Sequence, residues 1–504
     1  MSILGAIDIG AHTVKLKIIQ TEVDGTLRVL EDLKADILFG QDSFQSGRIS
    51  RHTISEAARC LQYFVRVLEE YGVERVRTVA TGSVREAENG QFVVDQLAKK
   101  TRLDIEILPE PVERSLTYLA LKYVLPDYEQ MRREGMLLVE VGSGSSEVII
   151  YKSGKLVRNN EVRLGTLLMK NLIRNIEAVS LFVPQILKDY AFAHTENLQG
   201  YLSRKKIEHS VVVGSSVKAV CDAFGKQGEG MERKAFEKLF ESLLREDPAL
   251  KDRLAELELD YEEVLSSFVI FHQFLSHSDA TFIHVPDISL RDGILYEMLE
   301  NRSPYDRKSE YTKDIISAAK HISKRYHSTG SHIKTIDEAV VKLFGALKHT
   351  EDFDNRDLLL LRISAILHET GKFMKQSGYY QATYENIRNA SILGVSDAML
   401  ETAARISLNS FALSSEGQGA GSGRMPFNDT KLLKLAALQS LADALDKSKQ
   451  QSVVIEQVRL VEDTLKITVQ KLRPCFFEEF AVDAVRGAFY EIYGYDIQLK
   501  DVKS

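Results

Sequence analysis

The chain has 504 residues, of which 44% are hydrophobic and 27% charged, and carries a formal net charge of -7. This balance describes an ordinary globular protein of several domains, and it excludes a general nucleic-acid binder, whose footprint is basic. Three scattered cysteines, Cys60, Cys221 and Cys475, form neither a metal spacing nor a disulfide framework, and they fit a reducing cytoplasm.

Met1 leads almost at once into a strand, and no apolar run approaches the ~18–20 residues of a membrane span, so neither export nor a membrane is expected. Residues 3 to 18 read as two strands. In the second, Val14, Leu16 and Ile18 alternate with Lys15 and Lys17, which is strand period and not helix period. A helix over 53–71 follows, with Ala57, Leu61, Phe64, Val65 and Leu68 at helical spacing. Then come a strand over 76–80, a helix over 91–100, a strand over 104–108 and a helix over 112–123. The theme restarts with a hairpin over 137–151, a helix over 166–177 and a strand over 210–213. Two hairpin-led α/β halves, 1–125 and 126–300, read as an internal duplication. Polar residues 301–308, with Pro304, suggest a linker. Residues 312–450 are helical throughout, interrupted by a Gly-rich loop over 417–428. The tail, 451–504, reads β-β-α-β.

Both hairpins place an acid before a small-residue turn. The first runs Asp8-Ile9-Gly10-Ala11-His12-Thr13, and the second Glu140-Val141-Gly142-Ser143-Gly144-Ser145-Ser146-Glu147. A dinucleotide fingerprint or a P-loop would run from its glycines into a helix; here the glycines sit at a hairpin tip. Small residues let backbone amides approach phosphate, and carboxylates suit hard Mg²⁺. The candidate phosphate-binding residues are Gly10, Ala11, His12, Thr13, Gly142, Ser143, Gly144 and Ser145. A third small-residue turn adds Gly214 and Ser215. The candidate metal ligands are Asp8, Glu140 and Glu147. Arg85, in a small-residue loop after the third strand, offers a planar fork for phosphate. Glu113 sits at a helix start, where an acid is favoured in any case. His332, His368, Glu369 and Asp443, spread over the helical region, are residue types that can hold a metal.

These motifs, in this order, resemble those of the exopolyphosphatase / guanosine pentaphosphate phosphatase (Ppx/GppA) family, within the actin–sugar kinase–heat-shock ATPase superfamily. Ala6–Thr13 resembles the family's A-I-D-I-G-S-N-S, Ala80–Gly90 its A-T-S-A-x-R-x-A-x-N-G, Pro109–Ser115 its S-G-x-E-E-A-R, Glu140–Glu147 its D-I-G-G-G-S-T-E, and Ser289–Leu299 its G-L-R-E-G-L-L-Y-E-L-L. The resemblance implies a duplicated actin-like (ribonuclease H-like) half, an all-helical HD-like domain and a small α/β tail. It also implies Glu113 as general base, Arg85 as charge stabiliser and Mg²⁺ on Glu140 and Glu147, with Asp8. The expected protein is a cytoplasmic homodimer that binds neither nucleic acid nor membrane.

The departures are specific. Ala11-His12 replaces Ser-Asn, Glu140 replaces Asp, Ser143 replaces Gly, Ser215-Ser216 replaces Gly-Thr, and Ser115 replaces Arg. In the HD-like domain His-Asp becomes His368-Glu369, and a histidine-rich stretch becomes Tyr379-Tyr380-Gln381-Ala382, so no working HD phosphohydrolase centre is expected there. The resulting reading is a phosphohydrolase that releases terminal phosphate from inorganic polyphosphate. The alternatives are a guanosine pentaphosphate 5'-phosphatase and a catalytically weakened binding protein.

Overall fold

The first hairpin forms as its alternation requires: β1 (Ile3–Ile9) and β2 (Thr13–Thr21) pair antiparallel, with Asp8 opposite Lys15 and Ile9 opposite Val14. This computed structural model describes residues 2–22, 27–142, 144–177, 183–202, 207–300, 310–328, 330–414 and 429–502. The expected linker at 301–308 and loop at 417–428 lie outside them, as does Ser143. The chain divides into two compact units, residues 1–302 and 303–504.

The first unit holds two sheets. In the first, β3 (Leu27–Asp36), β2, β1, β4 (Arg75–Ala80) and β5 (Ile105–Ile107) lie side by side in that order. β1 to β3 are antiparallel, and β4 and β5 run parallel to β1. The second sheet repeats the arrangement with β8 (Lys155–Val162), β7 (Ser146–Lys152), β6 (Met136–Val141), β9 (His209–Val213) and β11 (Phe282–His284), extended by the short edge strand β10 (Gly230–Glu232). The duplication read in the sequence is therefore a duplication of strand order. β3 and β8 were not legible: both are polar outer strands, LRVLEDLKAD and KLVRNNEV, without clean apolar alternation.

Helix Arg51–Glu70 starts where Ser50 accepts a hydrogen bond from the Thr53 amide, and it buries Ile54, Ala57, Ala58, Leu61, Phe64, Val67 and Leu68. Together with helix Gly90–Thr101 it covers one face of the first sheet. The other face is covered by helix Glu110–Leu119 and by helix Leu290–Glu300, whose Leu290, Ile294 and Leu295 share a core with Leu4, Ala6, Val79, Leu108 and Leu116. The chain thus returns from the second sheet to cover the first, where the sequence placed everything up to residue 300 in the second half. The crossing is close: a Cβ on Gly293 would lie 1.8 Å from the Leu116 carbonyl oxygen.

The second unit begins with helices Glu310–Arg325, Gly330–Leu347, Asn355–Leu367, Tyr379–Arg388, Asp397–Leu413 and Thr430–Ala444. The tail follows as β12 (Val453–Val461), β13 (Thr464–Lys471), helix Phe476–Tyr493 and β14 (Asp496–Asp501). It packs on the helices within the same unit: the Tyr493 hydroxyl donates to the Lys434 carbonyl at 2.8 Å, and the Ser448 amide to Glu478 at 3.0 Å. No helix among the described residues is long and apolar enough to cross a membrane.

Candidate active site

The two hairpin turns close with the same bond. The Gly10 amide donates to the Thr13 carbonyl at 2.9 Å, and the Gly142 amide to the Ser145 carbonyl at 3.0 Å. A Cβ on Gly142 would meet that Ser145 oxygen at 2.8 Å, so glycine is required there by space. Around the first turn, the Ala11 carbonyl accepts from the Gly40 amide at 2.7 Å and the His12 carbonyl from the Ile37 amide at 3.1 Å. His12 is exposed. Beside the second turn, β9 runs parallel to β6 with Val213 opposite Glu140, which brings Gly214 and Ser215 to the same sheet end as Gly142. Ser216 donates to Glu263 at 2.5 Å. Gly144 is exposed and Ser145 donates to Glu161 at 2.6 Å.

Four carboxylates line this region. Asp8 Oδ1 is buried without a hydrogen-bond partner. Its carboxyl is pushed up to about 6 by burial first and by the Glu113 carboxylate second, against Lys15 and Arg291. Glu140 and Glu147 face one another directly across the β6–β7 pair. Two like charges in that position repel, and each is met by a partner. Glu140 accepts from the Tyr118 hydroxyl. Glu147 accepts from Arg114 through Oε2 and from Asn159 through Oε1, the latter at 2.9 Å. Burial raises both carboxyls, with Tyr118 and Arg114 opposing it at Glu140 and Arg114 and Asn159 at Glu147. Tyr118 in turn is held well above the usual phenol range by its burial and by Glu140.

Helix Glu110–Leu119 supplies the other side. Glu113 lies in its first turn and accepts from Arg85 Nη1 at 2.8 Å; the same nitrogen donates to the Leu108 carbonyl at 2.8 Å. Arg85 comes from the short helix Gly82–Glu86, whose preceding residue Thr81 is tied by its amide to the Ile9 carbonyl at 3.1 Å. The same helix thus carries Glu113 toward the first sheet, while Arg114 and Tyr118 reach the second. Sequence reasoning named Glu113, Arg85, Glu140 and Glu147 but missed Arg114, Tyr118 and Asn159. The signal existed for two of these: Glu110, Arg114 and Tyr118 are spaced i, i+4, i+8 on one helical face. Lys17 is not aimed at the cleft; it pairs with Asp292 at 2.6 Å.

In the second unit, His332 Nε2 lies 3.6 Å and His368 Nε2 3.5 Å from the same Asp443 oxygen. Both ring nitrogens are buried without a hydrogen-bond partner. His332 Nδ1 is held by Asp446 at 2.8 Å and His368 Nδ1 by the Ala365 carbonyl at 2.7 Å. Among the described residues, His332, His368 and Glu369 are a set whose donor atoms all lie within 4.8 Å of one another. The four residues singled out in the sequence are thus together. Glu369, however, is engaged by Lys372 at 2.5 Å and by Lys449 at 2.5 and 2.7 Å.

Two sheets of common strand order, each led by an acid-and-glycine hairpin, define a duplicated α/β protein. The chain belongs to the Ppx/GppA phosphatase family: residues 18–302 match that family, and residues 316–481 match its domain III. It is, with that family, an exopolyphosphatase-like hydrolase. Curated relatives include proteins named guanosine-5'-triphosphate,3'-diphosphate pyrophosphatase. The one from Aeromonas salmonicida is 21% identical over 492 residues, covering 92% of each chain, and the one from Photobacterium profundum is 20% identical, covering 75% of this chain and 74% of its own. Solved structures include the Aquifex aeolicus Ppx/GppA family member, 21% identical with a TM-score of 0.49, covering 60% of this chain and 99% of that one. An exopolyphosphatase from Cytophaga hutchinsonii is 21% identical with a TM-score of 0.47, again covering 60% of this chain and 99% of its own.

Proposed function

We propose that the protein releases terminal phosphate from inorganic polyphosphate by attack of water in the cleft between the two hairpins. The observation that carries this reading is Glu113, fixed by Arg85 in the first turn of the helix that faces both hairpins. In this reading Glu113 takes a proton from the attacking water. The water oxygen forms the new P–O bond, the terminal anhydride bond breaks, and the shortened chain leaves. Arg85 orients Glu113 and meets charge on the transferred phosphoryl. Amides of Gly10 to Thr13 and Gly142 to Ser145, with Gly214 and Ser215, hold the remaining phosphate oxygens. Phosphoryl transfer asks mainly for positioning and charge stabilisation, so this inventory suffices in kind.

Asp8, Glu140 and Glu147 would hold Mg²⁺. The donor set fits a hard cation in chemistry: all three offer carboxylate oxygens, and Asp8 Oδ1 is buried and unpartnered. When bound, the ion would neutralise phosphate charge. The reading includes a cytoplasmic homodimer that binds neither nucleic acid nor membrane, supported by the family resemblance, the cysteine usage and the acidic balance.

The names of the curated relatives favour guanosine pentaphosphate as the alternative substrate. The engagement of Glu140 by Tyr118 and of Glu147 by Arg114 favours a weakened binding protein as the second reading. Phosphate release from long-chain polyphosphate and from guanosine pentaphosphate, with Mg²⁺, separates them. Glu113→Ala should slow release by ~10²–10⁴-fold, the range of general-base catalysis. Equal rates in wild type and variant would sink the hydrolytic reading, and binding without turnover would leave the second.

A further inference from the structure

Arg114 occupies an unusual position for a surface helix arginine. It projects from the helix that carries Glu113, yet its main partner, Glu147, belongs to the second hairpin and is 4% exposed. Its other partners, Glu110 at 2.6 Å and Glu161 at 3.5 Å, are each half exposed, and pairs screened by solvent in this way hold a side chain only weakly. Glu147 is therefore what holds the guanidinium in place. The reason lies in the register: Glu140 and Glu147 are directly opposed on buried strands, and a buried carboxylate needs a counter-charge or a proton. Both oxygens of Glu147 are engaged, Oε2 by Arg114 and Oε1 by Asn159. A divalent cation that takes Glu147 competes with these donors for the carboxylate's lone pairs, and the guanidinium is the one whose charge the cation replaces.

We propose, building on the phosphohydrolase reading of this cleft, that Arg114 is a built-in counter-ion that competes with divalent metal for Glu147 and, once displaced, turns its fork to the phosphate oxygens of the substrate. Arg114 is then a positioning and specificity residue: it sets how much metal the cleft demands, and it ties metal arrival to phosphate binding. Released guanidinium is suited to the second task, because its planar donors match phosphate geometry in pairs.

The test is Mn²⁺ binding to the full chain, followed by the electron paramagnetic signal of the free ion, for wild type, Arg114→Gln, Glu147→Gln and the double variant. Circular dichroism and thermal melts check that each variant folds. Arg114→Gln should bind Mn²⁺ about 5–10-fold more tightly, and the gain should vanish when Glu147→Gln is already present, because the competition runs through that carboxylate. With Mn²⁺ saturating, tripolyphosphate should bind Arg114→Gln more weakly than wild type, and Arg114→Lys should fall between them. Equal or weaker Mn²⁺ binding by Arg114→Gln would overturn the inference, as would a gain that persists in the double variant. None of these readouts uses turnover. Absence of phosphate release would count against the hydrolase reading and leave the competition standing, whereas no Mn²⁺ binding by any variant would overturn both.

Discussion

Arg85 and Glu113 lie 2.8 Å apart, and the same Arg85 nitrogen holds the Leu108 carbonyl that precedes the Glu113 helix. One guanidinium thus fixes both the side chain of the proposed base and the loop that aims it. Arg85→Ala should lower kcat/KM for polyphosphate by about 10²–10³-fold, the loss typical of one preorganised charge donor. Arg85→Lys should recover only part of this, since a single ammonium lacks the planar fork. Steady-state phosphate release on the three proteins checks it, and full activity in Arg85→Ala would remove Arg85 from the site.

Asp8 titrates abnormally high, at about 6 against an ordinary 3.8, because it is buried and near Glu113. For an acid raised in this way the sign is a stability cost, absent below pH 4 and complete above about pH 6, worth about 3 kcal/mol. Asp8→Asn should therefore melt higher than wild type at pH 8 and equally at pH 4. If the ionised form is needed to hold Mg²⁺, phosphate release by wild type should rise as pH passes through 6, and Asp8→Asn should lose it. Thermal melts and a pH–rate profile read the two effects separately.

Two helical glycines should respond oppositely to alanine. At Gly293 the new methyl would meet the Leu116 carbonyl at 1.8 Å, whereas at Gly345 nothing lies within 4 Å. Gly345→Ala should stabilise the second unit by ~0.5–1 kcal/mol through helix propensity. Gly293→Ala should destabilise by ~1–3 kcal/mol through overpacking. It should also reduce phosphate release, because the helix it pushes carries Glu113, Arg114 and Tyr118. Urea unfolding of both variants gives the comparison.

Asp337 is buried and grips Arg362 with two bonds, at 2.7 and 3.1 Å, with Lys320 at 2.8 Å. Burial alone would raise its carboxyl, but Arg362 and Lys320 outweigh burial and lower it below the ordinary 3.8. The sign is then a stabilisation present above pH 4 and lost as pH falls through the lowered folded-state value. Asp337→Ala should cost ~3–5 kcal/mol at pH 7, because it leaves Arg362 uncompensated. The difference from wild type in urea midpoint should shrink on acidification toward pH 3.

Much of this was legible along the chain. The alternation of Val14, Leu16 and Ile18 gave the hairpin, the spacing of Ala57, Leu61 and Phe64 the long helix, and the tail strand Val453–Val461 matched residue for residue. β3 and β8 escaped because outer strands expose much of their surface and lose the apolar period. The HD-like motif read as eroded, yet His332, His368 and Asp443 meet in space, because helices far apart in the chain pack side by side.

Local sequence determined the two acid-and-glycine hairpins by itself, since strand period, small-residue turns and adjacent acids are all properties of short segments. It could not determine what those acids touch. Glu140 and Glu147 look like equivalent free ligands in the chain. Only the β6–β7 register sets them face to face, and only the crossing of helix Glu110–Leu119 brings Tyr118 to one and Arg114 to the other. The physical reason is that a buried charge takes its counter-charge from whatever the packed elements deliver. That delivery depends on helix rotation and strand pairing between residues 22 and 33 positions apart, which no local pattern encodes.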